Sequence, residues 1–193
     1  MTSSFPFIIA ALSSLFWIFP AIRNYKTKLF FYFLLLAVSD PVAIAAVFLF
    51  RGLSTEFYVF SALLLVASLK VFFTSKRFYL TVLTILFLIS FSAAFFPINI
   101  RYIVNIGEHI VVVFVFIGVL LSYVATTSRV KCFHIVLVFY ELSIILKILF
   151  IILNVKLGLG YFYTTTIFEM LIAVFFSVYK ETDEKLLIDL RNV

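Results

Sequence analysis

Apolar runs of about membrane length alternate with short polar breaks along the whole chain. A helix needs about 20 apolar residues to cross roughly 30 Å of hydrocarbon. Seven segments approach that length: 5–22, 29–50, 57–75, 78–96, 107–125, 133–154 and 160–179. The breaks between them read RNYKTK, RGLSTE, SKR, PINIRYIVN, TTSRVKC and NVKLGLG. None is long enough to hold a soluble catalytic domain. Backbone polar groups inside hydrocarbon must be satisfied within each segment. The pattern therefore predicts an all-α integral membrane protein, a bundle of seven transmembrane helices.

The last stretch, 180–193, changes character: KETDEKLLIDLRNV. Leu186, Leu190 and Val193 recur at spacings of four and three, and Glu181 and Lys185 form an i,i+4 pair. No Pro or Gly interrupts 164–193. This predicts a cytoplasmic amphipathic tail that continues the seventh helix and offers those three apolar residues to a partner or to a second copy of the chain.

Charge orients the bundle. One set of alternate breaks, with the tail, carries Arg23, Lys26, Lys28, Lys70, Lys76, Arg77, Arg129, Lys131, Lys180, Lys185 and Arg191. The other set carries only Arg51, Arg101 and Lys156. Basic residues stay on the cytoplasmic side, so the N-terminus is expected outside and the C-terminus inside. Composition agrees with a membrane location, expected to be a bacterial inner membrane. Hydrophobic residues make up 65% and charged residues 12% of the 193, against about half and about a quarter in soluble domains. The formal net charge of +6 is then explained by anionic lipid rather than by nucleic acid. The single cysteine, Cys132, excludes an intrachain disulfide.

Against this apolar background a few polar side chains stand out, because charge inside a membrane helix is unfavourable and marks candidate function. Asp40 lies in the second segment, Glu141 and Lys147 in the sixth and Glu169 in the seventh. At about 1.5 Å of rise per residue, Asp40, Lys147 and Glu169 fall roughly 15–21 Å from the cytoplasmic ends of their helices. They share a layer near the midplane. Lys147 is expected to pair with Glu169, with Asp40 as its second partner. Glu141 stands about 240° around the helix from Lys147 and must find another partner, such as Tyr140, Ser143 or a neighbouring subunit. This cluster is either a ligand or ion site or a set of contacts that fixes helix register. Pro41 follows Asp40 directly, removes a backbone donor and marks a candidate hinge beside the carboxylate.

Arg101, Glu108 and His109 form a second polar group, expected at the outer mouth. His134 is expected a membrane thickness away, so the two histidines do not suit one metal centre. No phosphate-binding loop or nucleophile–histidine–acid arrangement is evident at one depth, so neither a catalytic residue, nor a cofactor, nor a metal is expected. The layout resembles the seven-helix input modules of bacterial sensor kinases in architecture alone. These features point first to a non-enzymatic sensor or partner-binding subunit of a membrane complex, with the bilayer and a protein as its partners. A small transporter or proton-coupled carrier built on the midplane charges is the second reading, and an intramembrane lipid-modifying enzyme the third.

Overall fold

The computed structural model describes residues 5–50, 54–153, 155, 158–183 and 186–189. These form seven helices: α1 (Phe5–Arg23), α2 (Phe30–Phe50), α3 (Ser54–Ser68), α4 (Lys76–Ala93), α5 (Ile98–Thr127), α6 (Cys132–Ile152) and α7 (Gly158–Val178). A 3-10 turn, Leu69–Phe72, extends α3, and two short strands, β1 (Arg129–Lys131) and β2 (Leu187–Asp189), complete the described elements. The α3 span with its 3-10 turn, α4, α5 and α6 are each long and apolar enough to cross a membrane. That content points to association with a membrane.

Local chemistry sets the helix ends. The chain turns between α1 and α2 through Lys26, whose φ of 66° is left-handed. Asn24 braces this turn by donating from its amide to the carbonyls of Pro20 (3.0 Å) and Phe176 (3.4 Å). Ser75 caps α4 by accepting from the Phe78 amide. Pro97 precedes α5, and Ser128 ends it in the left-handed conformation with φ 54°.

Six helices close a ring in the order α1, α2, α3, α5, α6, α7, with α7 packed chiefly on α1 and meeting α6 along a looser seam. α4 stands outside this ring against α3 and α5, burying only Tyr79, Ser90 and Ala93. We call the end that carries the α1–α2 turn and the two strands the sheet end, and the opposite one the far end. The half near the sheet end is filled by rings. Trp17 lies 4.7 Å from Tyr140 and 6.4 Å from both Phe33 and Phe176, centre to centre. Phe176 in turn meets Phe33 at 5.0 Å and Phe133 at 4.9 Å. Lipid tails are as apolar as these side chains, so close packing rather than escape from water favours the contacts.

Two expectations from the sequence need correction. The fifth helix begins at Ile98, not near 107. Its first turns are polar, and polarity reads as loop. Here Arg101 is ion-paired with Glu56 of α3 and hydrogen-bonded to the Phe96 and Ala94 carbonyls, both at 3.1 Å, while Asn105 is buried. The helix runs through because Arg101 finds tertiary partners and Asn105 turns toward a cavity inside the bundle.

The second correction concerns the tail. It does not prolong α7, which ends at Val178. The chain turns, the Lys180 amide donates to Asp183 at 2.8 Å, and β2 pairs antiparallel with β1 in the register Arg129–Asp189, Val130–Ile188, Lys131–Leu187. Short extended segments gain backbone hydrogen bonds from each other that a helical rod leaves no partner for on β1. Leu186 rests on the aromatic core. Leu190 and Val193, the other two residues of the expected docking face, lie outside the described residues.

Candidate functional site

The far half of the ring encloses a cavity of about 340 Å3. It runs from Thr55 and Tyr102, in the first turns of α3 and α5, down to a floor made by Trp17, Leu36, Leu65 and Tyr140. Every helix of the ring contributes to its wall.

Asp40, Lys147 and Glu169 all line this cavity. Lys147 Nζ donates to Glu169 Oε1 at 3.0 Å, across the seam between α6 and α7. The long lysine stem spans what backbone packing leaves open. Asp40 faces the same space from α2. Among the described residues no hydrogen bond or ion pair reaches its carboxylate. Its neighbour Ser39 bonds Ser61 of α3 at 2.6 Å and donates to the Leu35 carbonyl, also at 2.6 Å. α2 continues as helix through Pro41, whose ring sits about 100° away from Asp40, exposed on the outer surface against α1.

Glu141 is completely buried beneath the cavity and has two partners. The Tyr32 hydroxyl donates to Oε1, and His109 Nδ1 lies 2.6 Å from Oε2. Neither Tyr140 nor Ser143 serves it. Tyr140 packs on Trp17, and Ser143 donates to the Tyr140 carbonyl at 2.7 Å. His109 is therefore not at the mouth. Counted from Ile98 it stands about 17 Å down its helix, it is 6% exposed, and it lines the cavity.

The expected outer-mouth trio is thus dispersed. Arg101 locks the far end to Glu56. Glu108, buried, lies 2.6 Å from Ser90 of α4. His109 turns inward to Glu141. Adjacent helical residues diverge by about 100°, so Glu108 and His109 serve different sides of α5.

The arrangement offers an excess of acid in an apolar, aromatic setting. Asp40, Glu169 and Glu141 stand against Lys147 and His109. It also contains a carboxylate-oriented imidazole, His109, whose Nδ1 is engaged by Glu141; on the same cavity wall lies the Ser13 hydroxyl, which has no partner among the described residues. Helix periodicity gave no sign of this Tyr32–Glu141–His109 chain, because its members lie on three helices and two of its links span 109 and 32 residues. Among the described residues no group of three His, Cys, Asp or Glu side chains is placed to hold a metal ion.

A further cluster sits at the sheet end. His134 Nε2 is 3.8 Å from Glu181 Oε1, the Glu181 amide donates to Asn24 Oδ1 at 3.4 Å, and Lys131 Nζ donates to the Glu181 carbonyl at 3.2 Å. Burial pushes the Glu181 carboxyl above its ordinary range, and the nearby Lys131 and Lys28 pull it partly back. A raised acid favours the protonated fold. Its stabilising contribution is present at low pH and lost as pH rises through the raised folded value. Glu181→Gln is expected to flatten this part of the stability–pH profile, read as thermal midpoints across an acid-to-neutral series. An unchanged slope would show that Glu181 does not titrate with folding.

Compared with protein-family models, curated proteins and solved structures, the chain matches none of them, so its functional reading rests on its own residues.

Proposed function

We propose that this is a non-enzymatic sensor of the cell membrane that binds a small molecule in its central cavity. All seven helices would cross the bilayer, with the far end outside and the sheet end in the cytoplasm. The charge distribution supports that orientation. Among the described residues Arg23, Lys26, Lys28, Lys70, Lys76, Arg77, Arg129, Lys131 and Lys180 lie toward the sheet end, and only Arg101 toward the far end. The observation that carries the binding role is the cavity itself. A packed helix bundle leaves few voids larger than a water molecule, yet this one keeps about 340 Å3 and lines it with Asp40, whose carboxylate no hydrogen bond or ion pair reaches among the described residues. Apolar walls with a few convergent polar groups are the pattern of a ligand site. Output would pass through the sheet end, where β2 presents Ile188 at the surface and leaves a strand edge for a protein partner.

Trp17 is the only tryptophan and forms part of the cavity floor. Its emission is a built-in reporter. Titrating the protein in lipid nanodiscs with a panel of small amines, amino acids and organic acids is expected to find a class that shifts Trp17 emission saturably in the wild type and fails to do so in Asp40→Asn. If no compound class shifts the emission, or if Asp40→Asn responds like the wild type, the proposal fails.

A second reading is favoured by one observation, the Glu141-oriented His109 at the cavity wall. A histidine held this way can act as a general base, which would suit an enzyme acting on lipid. Turnover of a lipid ester by the purified protein, lost in His109→Gln while Trp17 emission is retained, would replace the sensor reading with this one.

A further inference from the structure

The structure holds a second hollow, about 730 Å3, on the side of the bundle where α4 stands away from α5. α5 supplies one wall with a single helical face, from Val111 through Phe114 and Gly118 to Tyr123 and Thr126. The roughly fifteen helical rises from Val111 to Thr126 span about 22 Å, longer than one leaflet of a hydrocarbon core of about 30 Å. The chemistry changes along this length. Toward mid-bundle the lining is apolar. At the sheet end it ends in Lys28, Lys131, His134 and Glu181.

That polar end is built rather than incidental. His134 is 1% exposed, and neither ring nitrogen has a hydrogen-bond partner among the described residues. The Glu181 carboxylate stands 3.8 Å from Nε2, beyond hydrogen-bond reach, and a buried imidazole left without a hydrogen bond is unfavourable unless something else occupies the space. Lys131 Nζ is held 4.7 Å over the Tyr123 ring, and Lys28 Nζ lies 5.9 Å from the centre of the Phe72 ring. Two lysines face one carboxylate, so the end carries a net positive charge.

We propose that this groove is a site for an anionic glycerophospholipid. The phosphate would sit at Lys28, Lys131 and His134, and one acyl chain would lie along α5 past Gly118. Apolar length and cationic head-end match that amphiphile in both chemistry and size. A protein helix would cover the apolar wall but bring no anion to the two lysines at its end.

Gly118 provides a clean test of the chain. A Cβ built there meets nothing within 4 Å, so a larger side chain fills the groove without displacing backbone. The experiment is native mass spectrometry of the full-length protein, exchanged into mild detergent with equal amounts of dioleoyl phosphatidylglycerol and dioleoyl phosphatidylcholine. The wild type is expected to retain the anionic lipid preferentially. Lys28→Gln/Lys131→Gln should still hold lipid but lose that preference, by about fivefold for each lysine replaced. Gly118→Leu should lose bound lipid of both kinds while Trp17 emission and the thermal midpoint stay unchanged, with Gly118→Ala as the folded reference. Equal retention of the two lipids by the wild type would overturn the proposal. So would wild-type lipid retention by a folded Gly118→Leu protein, or a protein subunit found in the lipid's place.

Discussion

Glu141→Ala is expected to destabilise the folded bundle by about 3–5 kcal/mol, the scale found when a buried carboxyl group is taken from its hydrogen-bonded partners. Glu141 has no exposed surface. Its loss strands the Tyr32 hydroxyl and the His109 ring together, both of them buried. Each stranded polar group costs about 1–3 kcal/mol, so the two costs reach the same range independently. Tyr32→Phe should cost less, about 1–3 kcal/mol, because it leaves a single carboxylate oxygen without a donor. Chemical unfolding in detergent, followed by Trp17 emission, measures both. A change below about 1 kcal/mol for Glu141→Ala would mean that the three groups do not act as a unit.

Lys147→Met is the second large effect, and it separates structure from function. The methionine keeps the apolar stem and removes the only lysine on the cavity wall among the described residues. Glu169 then loses its 3.0 Å partner, and Asp40 shares the space with a second uncompensated carboxylate. The Lys147 and Glu169 side chains are 29% and 13% exposed. The penalty should therefore fall between the exposed and fully buried limits, about 1–3 kcal/mol. Lys147→Met/Glu169→Gln removes both charges and should recover most of that loss. Ligand response should not recover, because two of the charged groups that orient the ligand beside Asp40 are gone. Stability without binding in the double variant is the expected result, measured by thermal midpoint and Trp17 emission on the same samples. Recovery of both would make the pair a register contact that takes no part in binding.

The reach of the sequence can be traced residue by residue. Lys147 and Glu169 were legible as a pair because both lie near mid-helix on segments joined by a short link. The seam between those helices was not legible. α7 prefers α1, where Ala21 and Ala173 are both buried and small residues permit close approach. Glu141 could be read as needing a partner, but Tyr32 and His109 could not be named, because nothing local ties three distant helices together. His109 was misplaced for a related reason. Arg101 and Asn105 look like loop until Glu56 and the cavity supply their environment, and Pro97 was the better marker of the helix start. The tail fails differently. Leu186, Leu190 and Val193 carry a helical period, yet Leu187–Asp189 is extended because β1 offers backbone groups to bond. Strand pairing is a tertiary fact, and a three-residue strand carries almost no periodic signal.

The most direct test of the central cavity is native mass spectrometry of the protein purified gently from membranes of the cells that make it. The account predicts a small molecule retained by the wild type and missing from an Asp40→Asn variant with the same thermal midpoint. A wild-type protein carrying only lipid, or an Asp40→Asn variant that keeps the same small molecule, would contradict it.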